Sequence, residues 1–424
     1  MNTFINKLKL LLSDRILRMR VGFVLGMLIV FRFLAALPIP GVDSVKLAQF
    51  LGNNQFLGLL NIFSGGGLST LSIVMLGVGP YITASIILQL LTMMFPSLKQ
   101  MYQEDGEAGR RKFVQYTRLL TLPLAMIQAF GFLLLLEKQG ILTDLAGFSL
   151  LRNIVVVTTG SMILMWLGEL ISEFGVGNGV SLIIFAGIVS RLPAAAAQLA
   201  FSYDPSQIPL YIVFAVIAFL VIMGVVIITE AERPVPITYA KRVQGNRVYG
   251  GISTYLPLRV NQAGVIPIIF ALSILLFPQM IANFALGLSK NAEVKSVAAW
   301  VVGALSNHWI YGILYFLLVF VFTYFYTAVT FDPQAISTNL QKRGAFVPGI
   351  RPGQPTAEYL GRVLTRITLV GATFLGFIAV LPTILQGATG ITSLTIGGTS
   401  VLIVVSVVTD LIKKIDAQLT MKEY

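Results

Sequence analysis

The residues from Phe56 to Leu91 read FLGLLNIFSGGGLSTLSIVMLGVGPYITASIILQLL. The stretch is apolar enough for a bilayer, yet one straight helix cannot hold it. Gly65-Gly66-Gly67 interrupt it early, and Gly77-Val78-Gly79-Pro80 loosen it again. Each glycine costs about 1 kcal/mol against alanine in a helix, and Pro80 lacks a backbone donor. The pattern predicts a short half-helix over about Gln55–Phe63, a glycine turn, and a second segment running to about Phe95. Non-helical backbone at membrane depth persists only where protein buries it or it borders a wet cavity. The rest of the chain is therefore expected to build a cavity around this broken segment.

Composition supplies the setting. Of 424 residues, 56% are hydrophobic and only 11% charged, against roughly 25% charged in a soluble domain. Continuous apolar runs of about 20 residues mark helical spans, whereas a β-barrel shows ten-residue alternation. Ten spans are expected, at roughly Val21–Pro38, Ile73–Phe95, Phe113–Leu136, Leu151–Ile171, Val180–Ala200, Ile208–Thr229, Ala263–Leu286, His308–Thr330, Val363–Gln386 and Ile396–Ile412. The first is read as uncleaved, because Arg32 sits inside it and Pro38-Ile39-Pro40 follow. Ten spans divide five and five near Asp204-Pro205, into an N-terminal half (1–206) and a C-terminal half (207–424). An odd number per half makes the halves enter from opposite sides, the inverted-repeat arrangement.

Orientation follows from lysine and arginine. With the N-terminus in the cytoplasm, 23 of the 30 basic residues fall on the cytoplasmic side and six on the other, with Arg32 inside the first span. Both termini are thus expected in the cytoplasm, and the net charge of +12 needs no nucleic acid to explain it. Two cytoplasmic loops, Glu230–Gln262 and Phe331–Arg362, are long, basic and rich in Gly, Pro, Asn and Gln. Loops of that length are usually functional, and two on one face suggest a docking surface.

Chemistry is scarce. There is no cysteine and a single histidine, His308, so disulfides, thiolate metal sites and multi-histidine sites are excluded. No phosphate-binding loop and no Ser-His or paired-Asp arrangement points to an enzyme or a cofactor. Acidic residues lie in loops or at span edges; Glu169 falls about one turn inside the end of span four, and Asp410 near the cytoplasmic end of span ten. Ion-coupled transporters keep ionisable groups near the bilayer centre, so this distribution speaks against one. Arg32 reads as a snorkelling residue, and His308 with Trp309 as an interfacial pair. Val78, Ile82 and Ile86 share one helical face, as do Val180 and Ile184. Gln89, Thr92, Gln128 and Asn261 are polar groups in or beside spans, where they can glue helices together. These features leave open a channel or an inverted-repeat secondary transporter of small solutes.

Several stretches carry a family likeness. NIFSGGGLSTLSIVMLGVGPYITASIILQLL, GEAGRRKFVQYTR, MWLGELISEFGVGNGVSLIIFAGIVSRLP, ERPVPITYAKRVQGNRVYGGISTYLPLRVNQAGVIPIIFA, DPQAISTNLQKRGAFVPGIRPGQPT and GGTSVLIVV resemble, in order and over nearly the whole chain, the SecY family of channel-forming subunits of the bacterial Sec protein translocon. The resemblance implies an all-α polytopic fold of ten transmembrane helices in two inverted halves, with a re-entrant plug half-helix in the second span. It implies a channel that passes unfolded polypeptides across the membrane and releases transmembrane segments sideways into lipid.

By the same resemblance the plug lies within about 54–72 and includes Asn61, Ile62, Phe63, Ser64, Gly65 and Gly66. The pore ring is Val78, Ile82, Val180, Ile184, Ile269 and Ile403, and the lateral gate carries Gln89, Gln128 and Asn261. A narrow aliphatic ring dewets and resists ions, yet offers no hydrogen bonds that would hold a sliding backbone. Docking of the SecA ATPase or a translating ribosome falls to the loops at about 230–262 and 331–362, through Lys241, Arg242, Arg247 and Arg351. Further implied partners are the SecE and SecG subunits, signal sequences, nascent polypeptides and membrane lipid. No small-molecule substrate is implied, and the expected location is the bacterial plasma (inner) membrane.

Overall fold

A computed structural model of the chain describes residues 14–40, 47, 64–103, 105–138, 140–142, 147–193, 197, 208–239, 242–244, 247–249, 253–289, 291–389 and 397–423. The helices are α1 (Arg15–Ala36), α2 (Gly79–Met94), α3 (Pro96–Gln103), α4 (Gly106–Lys138), α5 (Phe148–Phe174), α6 (Gly179–Val189), α7 (Ile208–Glu230), α8 (Ile266–Leu288), α9 (Ala292–Ser306), α10 (His308–Thr330), α11 (Pro333–Lys342), α12 (Gln354–Thr389) and α13 (Gly397–Glu423). Five short strands are β1 (Glu232–Tyr239), β2 (Arg242–Gln244), β3 (Arg247–Tyr249), β4 (Ser253–Arg259) and β5 (Ala345–Phe346). Each of the ten expected spans contains helix among the described residues. Among the described residues, five helices are long and apolar enough to cross a membrane, or six if α2 and α3, bent by 118°, count as one. Shorter apolar helices occupy α6 and parts of α7 and α8. The protein has an all-α polytopic membrane fold.

The second span departs from expectation. Its helix starts at Gly79, not Ile73, and Ser64–Val78 is a succession of turns. Pro80 sits at the first positions of α2, where a missing N–H is no loss because no helical carbonyl precedes it. The proline read as a loosening of the helix is its start. The expected half-helix over Gln55–Phe63 lies outside the described residues.

The chain divides into two compact units, with boundaries inside α7, α8, α10 and α13. The first comprises 1–214, 272–310 and 403–424. Its core gathers Ile39, Leu68, Leu71, Met75, Phe132, Leu133, Leu136 and Val157, all buried. The helix α5 lies directly on the turn segment. A Cβ added at Gly160 would strike the Ile73 carbonyl oxygen, so only glycine permits that approach. At the start of α4, the Tyr102 and Phe113 rings sit 4.8 Å apart. Burial pushes the Tyr102 phenol up, while Arg110 pulls it back.

The second unit comprises 215–271 and 311–402. Here β1 pairs antiparallel with β4, from Glu232 opposite Arg259 to Thr238 opposite Ser253, and β5 joins the other edge at Thr238 and Tyr239. Pro234 and Pro236 share one register parity, and Pro257 faces Pro234. These prolines therefore sit where the β1–β4 ladder asks for no N–H, which is where a strand tolerates them. Beneath the sheet, Val235 and Leu258 pack with Phe331, Val347, Leu360, Val363 and Leu364. The two long basic loops thus fold onto each other and onto the base of α12.

Replacing Gly160 by valine should lower stability by about 1–3 kcal/mol, the usual cost of overpacking. Gly22 has nothing within 4 Å of an added Cβ, so Gly22→Ala is the neutral or stabilising control. Thermal melting of the purified protein in detergent checks both, and equal melting temperatures for the two variants would contradict the packing described.

Candidate functional site

The segment Ser64–Val78 meets its backbone needs first from itself. Gly67 N–H donates to Ser64 O (3.1 Å), Ser69 to Gly66 O (3.1 Å), Leu71 to Leu68 O (3.1 Å), Met75 to Ser72 O (2.9 Å) and Gly77 to Val74 O (2.8 Å). These are closures of the 3₁₀ kind, short and tight. The end of α1 supplies much of the rest. Ile39 N–H donates to Leu71 O at 2.8 Å and Ile73 N–H to Leu37 O at 2.9 Å, which pairs Pro38 with Ser72 in an isolated antiparallel bridge. Thr70 Oγ1 donates to Ala35 O at 2.9 Å, and Arg32 Nη1 donates to Gly65 O at 2.6 Å. From the other side, Ser161 Oγ on α5 donates to Gly77 O at 2.9 Å.

Two positions show why the residue types matter. Gly65 has φ +65°, and a Cβ there would run into the Phe31 ring. Leu71 has φ +43°, a left-handed conformation that costs a non-glycine residue roughly 1–2 kcal/mol. It is held because its carbonyl accepts from Ile39 and its side chain is fully buried.

Arg32 corrects the sequence reading. Though the residue is exposed, its guanidinium bonds the glycine turn, a contact that reading lacked. Its carbonyl partner lies 33 residues away and exists only because the turn forms, so no local pattern announces it. Glu169 likewise has a partner that spacing hides. Arg118 of α4 grips it with both ends of a fork, Nε to Oε1 at 2.9 Å and Nη2 to Oε2 at 2.8 Å. The carboxylate side chain is only 16% exposed, and such two-point pairs are the strong kind.

Of the expected plug residues, Asn61, Ile62 and Phe63 lie outside the described residues. Ser64 is buried and its hydroxyl accepts Leu68 N–H at 3.1 Å, and Gly65 and Gly66 form the left-handed turn. Five of the aliphatic ring candidates belong to the first unit. Val78 is the residue before α2 and Ile82 lies in its first turn; both are buried. On α6, Ile184 is buried and Val180 is partly buried, with its Cγ2 over Gly168 of α5. Ile403 is buried in α13, and Ile269 is buried on α8 in the second unit. The polar candidates Gln89, Gln128 and Asn261 are all buried. Gln89 Nε2 donates to Ser85 Oγ at 2.9 Å, whereas Gln89 Oε1 and Asn261 Oδ1 accept from no described group.

The loop surface is a separate element. Lys241 lies outside the described residues, and Arg242 and Arg247 fall on the β2–β3 hairpin, in register opposite Tyr249 and Gln244. Arg351 is exposed on a fixed backbone. Thr356 Oγ1 donates to its carbonyl at 2.8 Å, and Ser337 Oγ donates to Gly353 O at 2.6 Å. Among the described residues no group of His, Cys, Asp and Glu could hold a metal ion.

Comparison with known proteins places this geometry. The SecY family model matches residues 72–412. The protein translocase subunit SecY of Corynebacterium glutamicum is 41% identical, over 97% of each chain. That of Escherichia coli K12 is 44% identical, over 96% of this chain and 93% of its own. A solved SecY structure, of a protein whose plug domain is described as stabilising the closed state of its translocation channel, aligns with TM-score 0.65. It is 19% identical and covers 94% of this chain and 92% of its own.

Replacing Arg32 by leucine should cost about 1–2 kcal/mol, the range for a hydrogen bond from a charged donor, reduced for partial exposure. Amide hydrogen exchange should rise selectively over Ser64–Leu71, with Arg32→Lys in between. Unchanged protection there would contradict the role given to Arg32.

Proposed function

The chain belongs to the SecY family, and we infer that it is the protein-conducting channel of a membrane protein translocase, passing unfolded polypeptide and acting as a conduit rather than an enzyme. The observation that carries this reading is the non-helical Ser64–Val78 backbone, held among apolar helices by hydrogen bonds from α1 and α5. A small-solute transporter is not favoured, since the relatives are translocase subunits.

In this reading the residues at about 54–72, from Asn61 to Gly66 at their centre, form the plug. Val78, Ile82, Val180, Ile184, Ile269 and Ile403 make the aliphatic constriction that seals without gripping. Gln89, Gln128 and Asn261 serve the lateral exit for transmembrane segments; the unpaired amide oxygens of Gln89 and Asn261 support this, because buried acceptors without donors are rare and invite a partner. Leaving sideways needs no drive from the channel, since an apolar segment gains about 25 cal/mol per Å² on entering lipid.

Arg242, Arg247 and Arg351, with Lys241, dock the SecA ATPase or a translating ribosome, and basic tips facing RNA phosphate bind less tightly as salt rises. The exposed Arg351 on its pinned backbone supports this assignment. SecE and SecG complete the complex. The membrane is the bacterial plasma membrane with both termini cytoplasmic, as the basic excess on the loop side supports.

Deleting residues 54–64 should raise ion conductance in planar bilayers, and an unchanged conductance would overturn the plug assignment. Arg351→Glu should slow SecA-driven import into vesicles while leaving the melting temperature unaltered. Import at the normal rate would remove Arg351 from the docking surface.

A further inference from the structure

By the expected spans, the residues between α8 and α10 lie outside any membrane segment. They contain a helix of about four turns. In α9, AEVKSVAAWVVGALS, Ala298 is buried at 4% exposure, and Val301, Val302 and Leu305 beside it are half-buried. The neighbouring edge stands clear of protein: Val297 is 62% and Trp300 73% exposed. Lys295, Ser296 and Gly303 are exposed around the remaining surface, and Glu293, in the first turn, lies in line with Trp300 two turns on. Two of the chain's three tryptophans, Trp300 and Trp309, lie in or beside this helix, and Trp309 is 70% exposed.

Chain length decides where this face can be. Only residues 289–291 separate α9 from α8, and only Asn307 separates it from α10. Three residues reach about 10 Å at most, so α9 cannot leave the surface where its neighbours meet water. Fifteen residues make a helix of about 22 Å, short of the roughly 30 Å hydrocarbon core, so it cannot cross either.

Both ends are fixed. Asn291 Oδ1 accepts Glu293 N–H at 3.1 Å, and Ser289 Oγ accepts Asn291 N–H at 3.1 Å. Asn307 serves two helices at once, its N–H donating to Ala304 O at 3.2 Å and its Oδ1 accepting Trp309 N–H at 3.0 Å. A pinned amphipathic helix with tryptophan on its apolar edge is the form that settles at a lipid–water interface.

We propose that α9 lies in the headgroup region of the leaflet opposite the basic loops, with Val297 and Trp300 among the upper acyl chains, as a lipid anchor for the α8–α10 connection. The occupant of the exposed edge is lipid, and the polar edge around Ser296 faces water.

The test uses the full chain with its companion subunits in phosphatidylcholine–phosphatidylglycerol vesicles. In Trp166→Phe/Trp309→Phe protein, Trp300 is the sole tryptophan. Its emission should be quenched about twofold more by a nitroxide high on the acyl chain than by one at its end, and little by external iodide, as expected for insertion to 5–10 Å. Because the chain has no cysteine, Val297→Cys and Ser296→Cys give single spin-label sites that keep all tryptophans. The label at 297 should collide mainly with oxygen and that at 296 mainly with a water-soluble nickel chelate. Strong iodide quenching, or nickel access at both sites, would overturn the proposal in favour of a water-exposed helix. Shielding of both sites from both probes would overturn it in favour of a protein partner or a second copy.

Discussion

A peptide group in hydrocarbon must find a partner in its own chain, and the rest of this structure depends on how that demand is met between Ser64 and Val78. An α-helix satisfies it automatically. Here the chain gives up the helix for fifteen residues, from 64 to 78, and the donors and acceptors thus released are bound by tight turns, by the end of α1 and by one hydroxyl of α5. Arg32, Thr70, Ile39 and Ile73 each contribute a bond that crosses between segments. The glycines allow the turns; the first helix makes them permanent.

This arrangement fixes the segment in place. The backbone after Gly65 is bonded on both sides and packed under α5, with a glycine at the closest approach. In the proposed channel, this stretch is the fixed root of the plug. The second unit follows different chemistry. Its sheet of proline-bearing strands has its own apolar core, and presents Arg351 on a backbone held by two hydroxyls. In the proposed function the first element excludes water and avoids hydrogen bonds to a passing chain, and the second offers charge to a partner in solution.

Much of this was legible from residue order. Apolar run length marked the chain as polytopic and all-α, with a helix in each expected span, and triple glycine marked the break. Other features were hidden because their cause lies far along the chain. Pro80 fits a helix interior defect and a helix start equally well, and only the turns before it decide. Arg32 and Glu169 look like stray charges until a turn carbonyl and Arg118 arrive from 33 and 51 residues away. The strand β1 was obscured by Pro234 and Pro236, which disfavour strands except at one register parity. The helix α9 is too short to register as a span and too apolar to read as an ordinary loop.

The bridge between Pro38 and Ser72 tests the central claim directly. The bonds from Ile39 to Leu71 and from Ile73 to Leu37 make it a non-hydrogen-bonded antiparallel pair, with Cα atoms about 4.5 Å apart, close enough for a disulfide. A protein carrying Pro38→Cys and Ser72→Cys, in a chain otherwise free of cysteine, should cross-link almost completely under mild oxidation. Polypeptide translocation by the oxidised and the reduced protein should then proceed at nearly the same rate, because the root of the bend does not move. Failure to cross-link, or translocation that stops on oxidation and returns on reduction, would contradict the account.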